Sequence, residues 1–272
     1  DRYKLIKAVF IDIDETLTNS KGEISEKTQY EIRRCIQKGI KIILTSGRAR
    51  KDAINYQKQI GTSPYIISSN GASCYDELKK KEIFSEPIKK KVVKQLLEYA
   101  HENGYTIKFN YNEEMVLNKA AYPDEKDKEK TIQELENIIE NENIVQCVVS
   151  SPDIEKMLEL KRYLAKKFYD IKIVNESKKL KNPELKPNKN YYCDITSATI
   201  SKGKAVHMIC QYLNLDEKEI ITIGDGENDI SMFNTTPNSV AMGNALEYIK
   251  KQAKYITSSN DEDGVAKVLE KL

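Results

Sequence analysis

Two aspartates one residue apart, Asp12 and Asp14, follow directly on the apolar run of residues 8–11. If that run is the first strand of a parallel sheet, both carboxylates fall at its carboxyl end, where open α/β sheets bind ligands. Residues two apart in extended chain face the same side, so the paired charges repel unless a cation or a shared proton intervenes. Magnesium, which takes a few carboxylates together with phosphate oxygens and water, suits such a pair. An isolated Asp-x-Asp is more often a turn or a helix start.

Three further segments repeat the placement. Thr45-Ser46-Gly47-Arg48 follows an apolar run over 40–44 and offers a hydroxyl and main-chain N–H groups suited to phosphate oxygens. Gly224-Asp225-Gly226-Glu227-Asn228-Asp229 follows residues 220–223 and again places acids on flexible backbone after a strand. Ser201-Lys202-Gly203-Lys204 opens a helix, where the macrodipole disfavours lysine unless an anion is bound beside it. Singly these read as an N-cap, a Gly-Asp-Gly turn and a surface lysine. In one order, at strand ends and helix starts of one inferred sheet, they form a strong joint signal.

The elements that must position these residues follow from hydrophobic periodicity. Strands over 5–11, 40–44 and 65–68 alternate with helices over 25–38 and 50–60, a βαβαβ pattern that implies a parallel sheet. Asn70-Gly71 then signals a turn into a hairpin or flap, through 74–75 and 83–84, leading away from the sheet. From residue 86 the texture is α+β, with helices over 89–102, 126–140 and from 151, and strands over 105–109, 115–118, 144–149 and 171–174. After the lysine- and proline-marked residues 178–189, a strand over 191–195 and a helix from Ser201 restore the first alternation. Strands over 220–223 and 239–241 and helices from 229, over 246–253 and over 263–272 complete it. The predicted fold class is α/β: a doubly wound parallel-sheet core over 1–85 and 188–272, discontinuous, carrying an inserted α+β cap over 86–187.

Composition removes several function classes. Against 44 basic residues stand 42 acidic ones, with no cluster able to follow a nucleic-acid backbone, so no nucleic-acid partner is expected. Apolar runs are too short for a bilayer, and the chain opens on Asp1-Arg2-Tyr3-Lys4 without a signal region, so no membrane partner and a cytoplasmic location are expected. Five scattered cysteines without a C-x-x-C pair read as reduced core residues. With only His101 and His207, neither a histidine metal centre nor a Ser-His-Asp triad has its material, which leaves carboxylates, hydroxyls and lysines for catalysis.

The motifs Asp12-Ile13-Asp14-Glu15-Thr16-Leu17, Ser46-Gly47-Arg48, Asn70-Gly71-Ala72, Ser201-Lys202-Gly203 and 224–229 resemble the haloacid dehalogenase-like superfamily. The pattern is most similar to its Cof-type sugar-phosphatase-like branch, whose type II cap is inserted between the second and third motifs. The resemblance implies a magnesium-dependent phosphatase acting on a small-molecule phosphomonoester, a sugar or cofactor phosphate, through an aspartyl-phosphate intermediate. It implies Asp12 as nucleophile and Asp14 as the acid and base that serves the leaving alcohol and the water. Asp12, Asp225 and the main-chain carbonyl of Asp14 would hold the metal, supported by Asp229. Ser46, Gly47, Lys202 and Asn228 would hold the phosphate. A monomer or weak homodimer is expected. A sugar-phosphate mutase and a non-catalytic phospholigand-binding protein are the alternatives. Many relatives carry glycine at the position of Glu15; a glutamate there is expected to need ordinary backbone angles and to point to solvent or cap.

Overall fold

The computed structural model describes residues 2–180 and 190–272. In chain order the strands are β1 (Ala8–Asp12), β2 (Lys41–Thr45), β3 (Tyr65–Ser68), β4 (Ser73–Asp76), β5 (Lys81–Ser85), β6 (Thr106–Tyr111) and β7 (Glu114–Leu117). They continue as β8 (Gln146–Ser151), β9 (Ile171–Glu176), β10 (Tyr191–Ser197), β11 (Ile220–Gly224), β12 (Ser239–Ala241) and β13 (Tyr255–Ile256). The helices are α1 (Glu26–Gln37), α2 (Arg50–Ile60), α3 (Lys90–Glu102), α4 (Ile132–Asn141), α5 (Ile154–Lys167), α6 (Lys202–Leu213), α7 (Ile230–Phe233), α8 (Glu247–Lys250) and α9 (Gly264–Leu269). Two compact units divide the chain: residues 1–85 with 201–272, and residues 86–200.

The first unit is built on one sheet in the order β13-β12-β11-β1-β2-β3-β4-β5. Its strands are parallel from β13 through β3. The alternation of side chains explains why helices cover both faces. Val9 and Ile11 of β1 pack with Ile32 and Cys35 of α1, Ala53 of α2 and Leu269 of α9. Their neighbours Ala8 and Phe10 pack with Ala205, Val206 and Ile209 of α6. A strand buried on both sides needs an unbroken apolar run, which is what residues 8–11 supply. Because the strands share one direction, β1, β2 and β11 all deliver their last residues to the same edge, with Asp12 beside Thr45 and Ile11 beside Ile223.

The hairpin expected to leave the sheet instead extends it: β4 pairs antiparallel with β3, and β5 with β4. Cys74 is fully buried against the α6 face, so the hairpin has apolar area to hide there. β13, two residues long, gave no periodic signal and joins as the far edge strand.

The second unit is a five-stranded antiparallel sheet, β7-β6-β8-β10-β9, with α3, α4 and α5 on one face. Ile107 and Phe109, Cys147 and Val149, and Cys193 and Ile195 line up across adjacent strands beneath Leu96, Leu135 and Leu160 of the helices. This corrects the sequence reading of 191–195 as a core strand. β10 pairs with β8 and β9, and the first unit resumes at Ser201. The boundary drawn between 187 and 188 lies outside the described residues. The two ends of this unit are tied together: the Glu86 carboxylate accepts from Ser197 Oγ at 3.2 Å and from Thr199 Oγ1.

All five cysteines are buried and unpaired with one another. Among the described residues no helix is long and apolar enough to cross a membrane.

Candidate active site

β1 stops at Asp12, and its alternation stops with it. Residues 13–17 form an irregular turn closed by the Thr18 N–H donating to the Ile13 carbonyl at 3.0 Å. Asp14 is extended within it (φ −68°, ψ 131°) and Glu15 is left-handed (φ 57°, ψ 9°). The two-residue alternation of the strand therefore does not carry through to Asp14. Asp12 is buried, whereas the Asp14 carboxylate is half exposed and takes a two-pronged grip from Arg48, Nε to Oδ2 at 2.8 Å and Nη2 to Oδ1 at 2.6 Å. Those hydrogen bonds raise the Arg48 pKa.

Glu15 also departs from expectation, since it adopts the backbone that glycine would favour. Its carbonyl is held by Asn244 Nδ2 at 2.9 Å and its N–H by Thr18 Oγ1 at 3.3 Å, contacts that pin the turn whatever the side chain. Glu15→Gly should raise unfolding stability by about 1 kcal/mol through relief of the left-handed penalty. A denaturant midpoint below that of the parent protein would contradict this.

Asp12, Asp225 and Asp229 each place a carboxylate oxygen within 4.8 Å of the others, and all three are buried. Lys202 enters from the first turn of α6, where Ser201 caps the helix by accepting from the Lys204 N–H at 3.0 Å. Its ammonium donates to Asp12 Oδ1 and to Asp229 Oδ1, each at 2.8 Å, and its side chain is wholly buried. Thr16 Oγ1 donates to Asp225 Oδ1 at 2.8 Å, tying the turn after β1 to the loop after β11. Asp229 bends back onto that loop, its Oδ2 accepting from the N–H groups of Asp225 at 2.9 Å and Gly226 at 3.0 Å. A Cβ at Gly224 would lie 2.5 Å from the Asp229 carboxylate, so only glycine permits this return.

Three carboxylates crowd together in a buried region, and the Lys202 ammonium is bonded to two of them, Asp12 and Asp229. Burial, with Asp229 and Asp225 adding repulsion, pushes the Asp12 pKa well above the ordinary carboxylate range, and Lys202 only partly opposes this. For Lys202, burial works against the charge, but the pull of Asp12 and Asp229 outweighs it and raises its pKa. A buried, converging set of hard carboxylate oxygens fits a hard divalent cation. Asp12 and Asp225 suit direct ligation, while Asp229, whose oxygens already serve Lys202 and two amides, braces them.

Ser46 and Gly47 follow β2 at the same edge. Ser46 is fully buried, and its Oγ accepts from the Arg48 N–H at 2.9 Å. Asn228 reaches them through a residue of the Asn70-Gly71-Ala72 motif to which no role was given: its Nδ2 donates to Asn70 Oδ1 at 2.9 Å. Thr16, Arg48 and Asn70 thus join the site although no role was assigned to them. The signal was present in each case, since all three lie within the motif segments. The Asp14 carboxylate, by contrast, stands outside the buried acidic group.

Residues 9–269 match the sequence profile of the haloacid dehalogenase-like hydrolases. The chain belongs to this family. Similar haloacid dehalogenase-like relatives include phosphatase YwpJ of Bacillus subtilis, 27% identical over 98% of this chain and 100% of that protein. Another from B. subtilis, 5-amino-6-(5-phospho-D-ribitylamino)uracil phosphatase YwtE, is 25% identical over 98% of each chain. Among solved structures, a haloacid dehalogenase-like hydrolase from Bacteroides thetaiotaomicron is 26% identical, with a TM-score of 0.79 over 98% of this chain and 99% of its own.

Neither histidine of this haloacid dehalogenase-like chain joins the acidic group. His207 lies on α6 with half its side chain exposed, its Nδ1 3.6 Å from Glu217.

Proposed function

We propose that this protein is a magnesium-dependent phosphatase that hydrolyses small-molecule phosphomonoesters through an aspartyl phosphate on Asp12. The observation that carries the reading is the meeting of Asp12, Asp225 and Asp229 with the buried ammonium of Lys202 at one sheet edge. Phosphoryl transfer asks chiefly for positioning and for stabilisation of charge on the equatorial oxygens, and this edge is rich in both. Asp12 and Asp225, with the main-chain carbonyl of Asp14, would hold the magnesium ion. When bound, the ion supplies positive charge that lets an anionic carboxylate approach an anionic phosphoryl group.

An Asp12 carboxylate oxygen attacks phosphorus, the bond from phosphorus to the ester oxygen breaks, and Asp14 gives that oxygen its proton. Asp14 then takes a proton from water as the water oxygen attacks phosphorus, and the phosphorus bond to Asp12 breaks to release inorganic phosphate. Both Asp14 oxygens accept from Arg48 in the resting site, so Asp14 serves as the acid once it has taken up a proton and given up one of these bonds, and Arg48 holds the carboxylate again after the proton has left. Ser46, the Gly47 N–H and Asn228 hold phosphoryl oxygens, and Lys202 offsets charge on the side of Asp12. Choice of substrate is assigned to residues 86–200.

The test is phosphate release from p-nitrophenyl phosphate, hexose phosphates and a phosphorylated ribityl compound of the kind named for YwtE. Release with magnesium that stops on adding a chelator is the expected result. No release from any ester, with retained binding of inorganic phosphate, would replace catalysis by ligand sensing.

A further inference from the structure

The turn after β3 is built in an unusual way. Ser69, Asn70 and Gly71 have φ values of 49°, 58° and 97°, three left-handed residues in succession. Ser69 is 1% exposed and Asn70 0%, so two non-glycine residues keep a disfavoured backbone deep inside the first unit. Such a segment persists only where its surroundings impose it.

Those surroundings are segments of the candidate site. The Ser69 N–H donates to the Arg48 carbonyl at 2.8 Å and the Asn70 N–H to the Ser46 carbonyl at 2.9 Å. A Cβ at Gly71 would sit 2.3 Å from the Ser201 carbonyl oxygen, so the turn lies against the helix start that carries Lys202. The Asn70 carboxamide lies against Gly47, where a Cβ would be 3.1 Å from both its oxygen and its nitrogen. The same carboxamide oxygen accepts from Asn228 Nδ2 at 2.9 Å.

We propose that Asn70 is a positioning residue that fixes the Gly47 main chain and the Asn228 carboxamide as one preformed cradle for phosphoryl oxygens. The inference rests on the phosphatase reading above. A primary amide turns easily about its last torsion, and its two N–H directions wander with it. Asn228 is held through its Nδ2, which donates to Asn70 Oδ1 at 2.9 Å, while its Oδ1 lies so close over Gly226 that a Cβ there would come within 2.6 Å. The second Nδ2 hydrogen is thereby given one direction. Donors set in advance stabilise phosphoryl charge without reorganising during the reaction.

Asn70→Gly tests the idea, since glycine keeps the left-handed backbone and removes only the carboxamide. Steady-state kinetics with p-nitrophenyl phosphate and magnesium, with inhibition by inorganic phosphate, are expected to give a KM and a phosphate Ki each raised about fivefold, the span of one lost hydrogen bond. A smaller change in kcat and a double variant Asn70→Gly/Asn228→Ala no weaker than Asn228→Ala alone complete the expected pattern. Unchanged KM and Ki, or additive losses in the double variant, overturn the positioning role. An inactive parent protein would instead remove the phosphatase reading itself. If Asn70→Gly fails to fold, parent protein labelled with nitrogen-15 asparagine carries the test. Added phosphate should move the Asn70 and Asn228 side-chain amide signals together, and movement of neither overturns the proposal.

Discussion

Asp12→Asn should reduce phosphate release by at least about 10⁴-fold, the scale of losing a covalent nucleophile, while making the metal-free protein more stable. The second half follows from linkage. Burial, aided by Asp229 and Asp225, raises the folded-state pKa of Asp12 above its ordinary value of 3.8. A raised folded pKa stabilises the fold fully at pH below the unfolded value, and that contribution is lost as pH climbs through the folded one. Asparagine stays neutral throughout, so the variant and the parent should match near pH 4 and diverge above it, with the variant ahead. Thermal unfolding in chelator at pH 7.5 checks this, and a variant Tm below that of the parent would contradict it. Magnesium should then raise the parent Tm more than the variant Tm, because an ion that binds only the folded state stabilises it by mass action and asparagine is the poorer ligand.

Lys202→Met is the harsher change. Methionine keeps the stem that α6 packs around but removes the ammonium, leaving Asp12 and Asp229 to face each other in the interior. Stripping one partner from a buried ionic group costs about 3–5 kcal/mol, and turnover should fall at least about 100-fold as phosphoryl charge loses its counterpart. Burial opposes the Lys202 charge, but the two aspartates win and its folded pKa rises above 10.5. Its own titration therefore adds no slope from pH 6 to 9, but losing the ammonium that holds the Asp12 pKa down pushes that pKa higher still, so the stability gap should widen as pH rises across that range. Asp12→Asn combined with Lys202→Met should recover part of the lost stability, measured by urea unfolding. A gap that narrows steadily across that range, or a double variant weaker than Lys202→Met, would contradict the account.

Much of the core was legible because burial on both faces forces a continuous apolar run, as in β1, β2 and β11. The helix start at Ser201 was legible, and so was the end of α2 at residue 60, where the structure places the left-handed Gly61 with a φ of 71°. β10 was misplaced for a physical reason. Tyr191-Tyr192-Cys193 has the apolar character of a core strand, and local pattern carries no record of which neighbour a strand pairs with. Periodicity likewise misled at Asp14, because the strand ends one residue after Ile11 and the turn that follows obeys no two-residue rule. Asn70 was visible as half of an Asn-Gly turn signal and within one of the motif segments, with no role assigned to it. Its side-chain work depends on Gly47 and Asn228, residues distant in sequence, and on a left-handed backbone no spacing announces.

The clasp between Glu86 and the pair Ser197 and Thr199 has an engineering consequence. Residues 86–200 leave and rejoin the chain at neighbouring points, since the carboxylate at one end meets hydroxyls at the other. A module with its entrance and exit side by side can be cut out and bridged by a short linker, or replaced by another of the same footprint. The splice falls between β5, the antiparallel edge strand of the first unit, and the start of α6, so chimeras assembled at Glu86 and Ile200 would leave the parallel strands uncut.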